Sequence, residues 1–211
     1  MDAKNTLIQH TIVGVFSLAI AAVFYFLFDI RWSTSFARVS FILLFLALII
    51  GPVMKLKKPA EVSSPLAIPW SWRGELGIWF TLTALVHFIF VLLNRSFFKL
   101  IYVGGGGGAL SNFIGLIALL LAIVLTFTSI NKVIIFLGVE SWKWLHGLTY
   151  VIFYLIAAHF IYYQFFSTYG EIGPDWFGYL ASAMTIIILI LQAIAFVMVI
   201  KKRKASSLEN N

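Results

Sequence analysis

The chain has no cysteine, and charged residues make up only 11% of its 211 positions. Without cysteine it holds no disulfide, thiolate metal site, iron–sulfur cluster or cysteine nucleophile of its own. It also lacks a hydrolase triad, a metalloprotease spacing and a nicotinamide-binding motif, so a self-contained enzyme is not expected. No small-residue cleavage site follows the first apolar segment, which is expected to be retained as a helix. What the chain has in abundance is apolar surface: 62% of residues are hydrophobic and the mean hydropathy is +1.00. A water-soluble domain of this size cannot hide so much of it, and an all-α integral membrane protein is expected. The net charge of +7 then reflects the Lys and Arg that collect in cytoplasmic loops, not nucleic-acid binding.

Six apolar segments stand out, at about 7–28, 36–54, 74–94, 109–130, 142–166 and 177–200. Each is close to the ~20 residues a helix needs to cross ~30 Å of hydrocarbon. Helices are required because backbone groups in lipid must bond within their own segment. Trp32, Trp70, Trp72, Trp142, Trp144 and Trp176 lie at or near segment ends, as an interfacial belt would place them. One domain over 1–211 is expected, a bundle of six transmembrane helices with its core at about 34–166 and a short basic tail at 201–211.

Charge sets the orientation. Lys4, Lys55, Lys57, Lys58, Arg73, Lys132, Lys143, Lys201, Lys202, Arg203 and Lys204 fall on one side; Arg31, Arg38, Arg95 and Lys99 fall on the other. The richer side is expected to be cytoplasmic, with both termini inside. The 57–72 connection, with Pro59, Pro65 and Pro69, is then a cytoplasmic loop. The five glycines at 104–108 are an outer, flexible spacer, since no Lys-Ser/Thr follows to make a phosphate loop.

Three of the four histidines lie inside these apolar segments. A side chain that can carry charge is costly in hydrocarbon and usually persists because something binds it. On this topology His87 and His159 lie at similar depth toward the outer leaflet, on parallel helices. Two imidazoles so placed could clamp one haem from both faces. His146 lies about 19.5 Å deeper, at ~1.5 Å per residue. Its partner position on the third helix holds Arg73, so an inner site would be a one-histidine haem, or a quinone or flavin pocket using His146 and Arg73. On an ideal helix a thirteen-residue spacing turns His146 about 140° away from His159, so the fifth helix would need tilt or local distortion. Arg38, near the outer end of the second helix, is a candidate partner for haem propionates or else a snorkelling interfacial arginine. His10, near the inner interface, carries no assignment.

The run Ser141-Trp142-Lys143-Trp144-Leu145-His146-Gly147-Leu148-Thr149-Tyr150, followed by His159, resembles the ferric reductase-like transmembrane domain. Arg38 with Ile50-Gly51-Pro52, then Arg73, Gly77 and His87, then Gly115 and Leu125-Thr126-Phe127-Thr128-Ser129, resemble its second, third and fourth helices. The likeness covers about 34–163. Within the superfamily it is most similar to the haem-binding membrane subunit of the bacterial periplasmic methionine sulfoxide reductase system (MsrQ-type). The single histidine of the third helix separates it from the NADPH oxidase pattern of two.

The resemblance implies a haem b protein of the bacterial inner membrane. Its donor would be quinol or a cytoplasmic flavin reductase, and its acceptor a periplasmic molybdopterin-containing reductase that repairs oxidised methionine. His87 and His159 would be the axial ligands, and His146 would belong to an inner cofactor site. Two alternatives stay open. A histidine-relay proton channel or transporter predicts broken helices and mid-span acids, yet no Asp or Glu sits mid-span and Glu75 is near an inner helix end. A structural anchor predicts a colourless protein.

Overall fold

The computed structural model describes residues 3–56, 72–94, 97, 100, 107–167 and 174–209. It is all-helical over these residues. Helices α1 (Ala3–Phe28), α2 (Trp32–Leu56), α3 (Trp72–Asn94) and α4 (Gly107–Thr128) are followed by the short α5 (Asn131–Leu137). Then come α6 (Val139–His146), α7 (Thr149–Ile161), a π turn (Tyr162–Phe166) and α8 (Trp176–Glu209). Six spans are long and apolar enough to cross a membrane, the fifth made of α6, α7 and the π turn together.

The helices overrun the apolar segments at several ends, because a helix does not stop where hydrocarbon does. α8 continues through the basic tail to Glu209, a stretch of good helix formers. Gly107 and Gly108 belong to the first turn of α4, which corrects the expected spacer at that end. The remaining glycines of the run and the expected proline-rich loop at 57–72 lie outside the described residues, except Trp72, which is not loop but the first residue of α3. The helix α5 was not anticipated. It is separated from α6 by Gly138, whose φ of 75° suits glycine.

α2 is the central helix. In its most apolar window 61% of residues are buried, against 11% to 28% in the other five spans. It packs against α1, α3, α7 and α8, while α4 packs chiefly against α7. The core gathers Phe41, Leu44, Leu48, Phe153, Phe177 and Ile188, all fully buried. The outward faces of α1 and α8 carry exposed Phe26, Leu27, Ile190 and Phe196, the surface that lipid tails cover.

Two local features position the site. The link from α1 to α2 is three residues long. Asp29 takes a φ of 51°, a left-handed conformation that aspartate tolerates, and the Ile30 N–H closes onto the Phe24 carbonyl at 3.2 Å. Trp32 then stacks on Tyr25, ring centroids 4.2 Å apart, which seats the start of α2 against α1. The second feature is the break in the fifth span. At Gly147 and Leu148 the bonds tighten: Gly147 N–H reaches Trp144 at 3.0 Å, and Leu148 N–H reaches Leu145 at 3.0 Å. The 140° offset computed for an ideal helix therefore does not hold between His146 and His159. The break sits toward the N-terminal end of the span, and among the described residues no Asp or Glu lies mid-span, unlike the transporter arrangement.

Candidate functional site

His87 on α3 and His159 on α7 line one cavity of about 910 Å3. Its walls are largely apolar, with Phe41, Phe80, Leu116, Leu119, Ile156 and Phe160 among them. Its polar groups include Arg31, Ser33, Asn94, Asn112, Tyr163 and Gln164.

The two imidazoles are held alike. His87 Nδ1 lies 2.8 Å from the Ser33 carbonyl oxygen and 3.1 Å from the Ser33 hydroxyl. His159 Nδ1 lies 2.7 Å from the Ser111 carbonyl oxygen and 3.2 Å from the Ser111 hydroxyl. A carbonyl only accepts, so each Nδ1 carries the proton and donates it. Each neutral ring then keeps its lone pair on Nε2. No hydrogen bond engages either Nε2 among the described residues. A backbone carbonyl behind Nδ1 is the arrangement that fixes ring orientation and tautomer in metal-ligating histidines.

The backbone makes this approach possible. Ser33 and Ser111 lie in the first turns of α2 and α4, and one turn further on stand the small residues Ala37 and Gly115. A Cβ at Gly115 would come within 2.9 Å of His159 Nδ1 and 3.0 Å of its Cε1. Gly115 therefore leaves the room in which the ring reaches its carbonyl. Gly115→Ala is expected to push the imidazole off that position and weaken ligand binding at Nε2 by about 10-fold, the cost of losing second-shell support. Haem titration of the purified variant checks this. Gly77→Ala, where a Cβ meets nothing within 4 Å, is the control that should behave as wild type.

Arg38 does not join this cavity. It is buried at 3% exposure and forms an ion pair with Asp175. Its guanidinium carbon lies 5.0 Å from the Phe177 ring centre, 5.6 Å from Phe24 and 5.8 Å from Trp176, a cation–π box. The expected propionate partner thus lies outside the cavity, on the α1–α2–α8 side, with only its Nη2 engaged by Asp175 and its Nε and Nη1 buried without a partner among the described residues. Asp175 does three things at once. One carboxylate oxygen pairs with Arg38, the other accepts the Gly178 N–H at 3.0 Å as the N-cap of α8, and its own N–H donates to Gln164 Oε1 at 3.2 Å.

Among the described residues, Arg31 is the cation that does line the cavity. In the sequence it served only as a topology charge. Its place follows from the three-residue turn between α1 and α2, which periodicity does not reveal.

His146 does not line the cavity either. It ends α6, its ring 4.3 Å from that of Trp142 and its Nε2 3.4 Å from the Thr128 hydroxyl. Arg73 lies within electrostatic reach of it. The structure therefore divides the expected residues into the cavity pair, His87 and His159, a second pair at the other end of the spans, His146 and Arg73, and the separate Arg38.

Comparison with known proteins gives two findings. Over 48 residues the chain is 52% identical to the magnetosome protein MamZ of Paramagnetospirillum magneticum (strain ATCC 700264 / AMB-1), a stretch amounting to 23% of this chain and 8% of that protein. The chain thus matches only a small part of that relative's length. The family model for the ferric reductase like transmembrane component matches residues 36–158, from the second span through most of the fifth. That is more than half of the chain, and it takes in His87 and His146 and ends one residue before His159: the chain belongs to the ferric reductase-like transmembrane family, whose fold points to electron transfer across a membrane.

Proposed function

We propose that this protein carries haem b between His87 and His159 and passes electrons across the bacterial inner membrane. In this proposal the acceptor is a periplasmic molybdopterin-containing methionine sulfoxide reductase subunit, and the donor is quinol or a cytoplasmic flavin reductase. The carrying observation is the pair of imidazoles on one cavity, each with Nδ1 donated to a backbone carbonyl and Nε2 left to ligate.

The donor set fits haem. Two neutral imidazole nitrogens suit its iron, and apolar helix walls suit the macrocycle. The cavity lies within the ~300–1,000 Å3 typical of ligand sites. Haem held there by His87 and His159 would supply one-electron transfer between its ferric and ferrous states. The chain's own residues do the rest. Ser33 and Ser111 hold the two rings at fixed orientation and make them more basic ligands. Phe41, Phe80, Leu116, Leu119 and Phe160 exclude water. Arg31, with Asn94 and Asn112, offers charge and hydrogen bonds to the group's carboxylates. His146 and Arg73 form an inner station for a second cofactor, a one-histidine haem, a quinone or a flavin. Both termini are cytoplasmic in this proposal, as the Lys and Arg distribution supports.

The test is the dithionite-reduced minus oxidised visible spectrum of the detergent-purified protein, with a haem-to-protein ratio. A sharp low-spin b-type spectrum is expected. A protein that stays colourless after haem is supplied would defeat the proposal.

A further inference from the structure

Gln164 lines the histidine cavity, and two features of the backbone set it there. The first is the π turn, in which the Ser167 N–H reaches back five residues to the Tyr162 carbonyl at 2.9 Å. Single π turns within α-helical spans recur at functional sites. On an ideal α-helix a residue five positions after His159 would sit about 140° round from it. The wider turn alters that offset, and His159 and Gln164 line the same cavity. The second feature is Gly178 on α8. A Cβ there would lie 2.7 Å from Gln164 Oε1 and 3.3 Å from its Cδ and Cγ, so the bare glycine leaves the room that the amide occupies.

The amide is also oriented. Its Oε1 accepts the Asp175 N–H at 3.2 Å. An NH2 group cannot accept that bond, so the oxygen faces α8 and the nitrogen is the end left over. Nε2 makes no hydrogen bond among the described residues and remains accessible to solvent. Both of its hydrogens are unused. The other amides on the cavity are more committed. Asn112 Nδ2 donates to the Leu100 carbonyl at 2.7 Å, and its Oδ1 accepts the Tyr163 hydroxyl at 2.7 Å. Asn94 Nδ2 donates to the Phe90 carbonyl at 2.6 Å. Gln164 comes from the same end of the bundle as Arg31, where the starts of α2 and α4, the end of α3 and the π turn meet. A donor with two unused hydrogens and a cation on one cavity suit a carboxylate.

We propose that Gln164 is a carboxylate-binding residue of this cavity, its Nε2 donating to a haem propionate while Arg31 supplies the charge. The proposal rests on the haem reading above and adds a binding residue to it. The π turn, the Asp175 N–H and Gly178 then share one task, which is to hold the amide with its nitrogen free.

Titration of full-length protein in mild detergent tests this, with two ligands followed by their visible spectra: haem, and haem with both propionates methylated. Gln164→Glu keeps an oxygen for the Asp175 N–H but puts a negative charge where the donor stood. It is expected to lower the affinity for haem by about tenfold or more, the worth of a hydrogen bond to a charged group. Its affinity for the dimethyl ester should stay close to that of wild type. Gln164→Met removes the donor without adding a charge and should show the same selectivity. Equal losses for haem and its ester in both variants would mean that Gln164 only shapes the protein, and would overturn the proposal. Unchanged haem affinity in both variants overturns it as well. The haem reading is judged apart, on wild type. A low-spin spectrum there sustains that reading whatever the variants do, whereas wild-type protein that binds neither ligand removes both.

Discussion

His87→Ala and His159→Ala are each expected to lower haem affinity by more than about 100-fold, beyond the 10–100-fold that loss of a second-shell partner costs. Each removes one of two Nε2 donors at the cavity, and no other histidine lines it. The expected readout is a haem-to-protein ratio near zero after detergent purification. Any haem left in either variant should lose the low-spin spectrum, because only one imidazole would remain to hold it. His146→Ala should keep the low-spin signal of the outer site, because His146 stands outside that cavity. Full retention of low-spin haem in both His87→Ala and His159→Ala would defeat the ligand assignment. A signal lost only in His146→Ala would move the haem to the inner site.

Asp175→Asn is expected to be strongly destabilising for so conservative a change. Asparagine caps a helix as well as aspartate does, so the N-terminus of α8 keeps its side-chain bond to the Gly178 N–H. What disappears is the negative charge beside Arg38, a guanidinium only 3% exposed. Removing one partner of a buried ion pair typically costs about 3–5 kcal/mol, because the other charge is left uncompensated. The rings of Phe24, Trp176 and Phe177 return part of that, so the expected loss is about 3 kcal/mol. Arg38→Met should cost less than that. It leaves the charge on Asp175, which is 39% exposed and can be hydrated. The double variant Arg38→Met/Asp175→Asn should recover most of the loss, since an apolar replacement of a whole pair is often neutral. Denaturant unfolding in mild detergent reads these differences, with haem content unchanged throughout. A double variant no more stable than Asp175→Asn would show that the charge pair is not the cause. Haem loss in Arg38→Met would restore Arg38 to the cofactor site.

The spans were legible because hydrocarbon imposes both length and composition on a helix. The shared level of His87 and His159 was legible too. Once the charge distribution orders the helices, depth is arithmetic at ~1.5 Å per residue. Arg73 as the neighbour of His146 followed from the same arithmetic.

Other features had a signal that points two ways. Gly147 could be read as an ordinary glycine in a membrane helix, where glycine is common, or as the break that the structure contains. Pro174-Asp175-Trp176 reads as a helix start, yet nothing local says that Asp175 meets Arg38, 137 positions away. For Arg38 alone, the sequence equally allows a propionate partner and a snorkelling side chain, and it does not suggest the buried ion pair that the structure contains.

What the sequence by itself determined is a six-span membrane protein with one histidine inside the third span and two, thirteen residues apart, inside the fifth. What only the tertiary structure decided is which face of each helix meets protein and which meets lipid. Both environments are apolar, so hydrophobicity does not separate them. That choice makes α2 the central helix and sets His87 and His159 against the Ser33 and Ser111 carbonyls. It also brings Arg31 to the cavity while Arg38 pairs with Asp175.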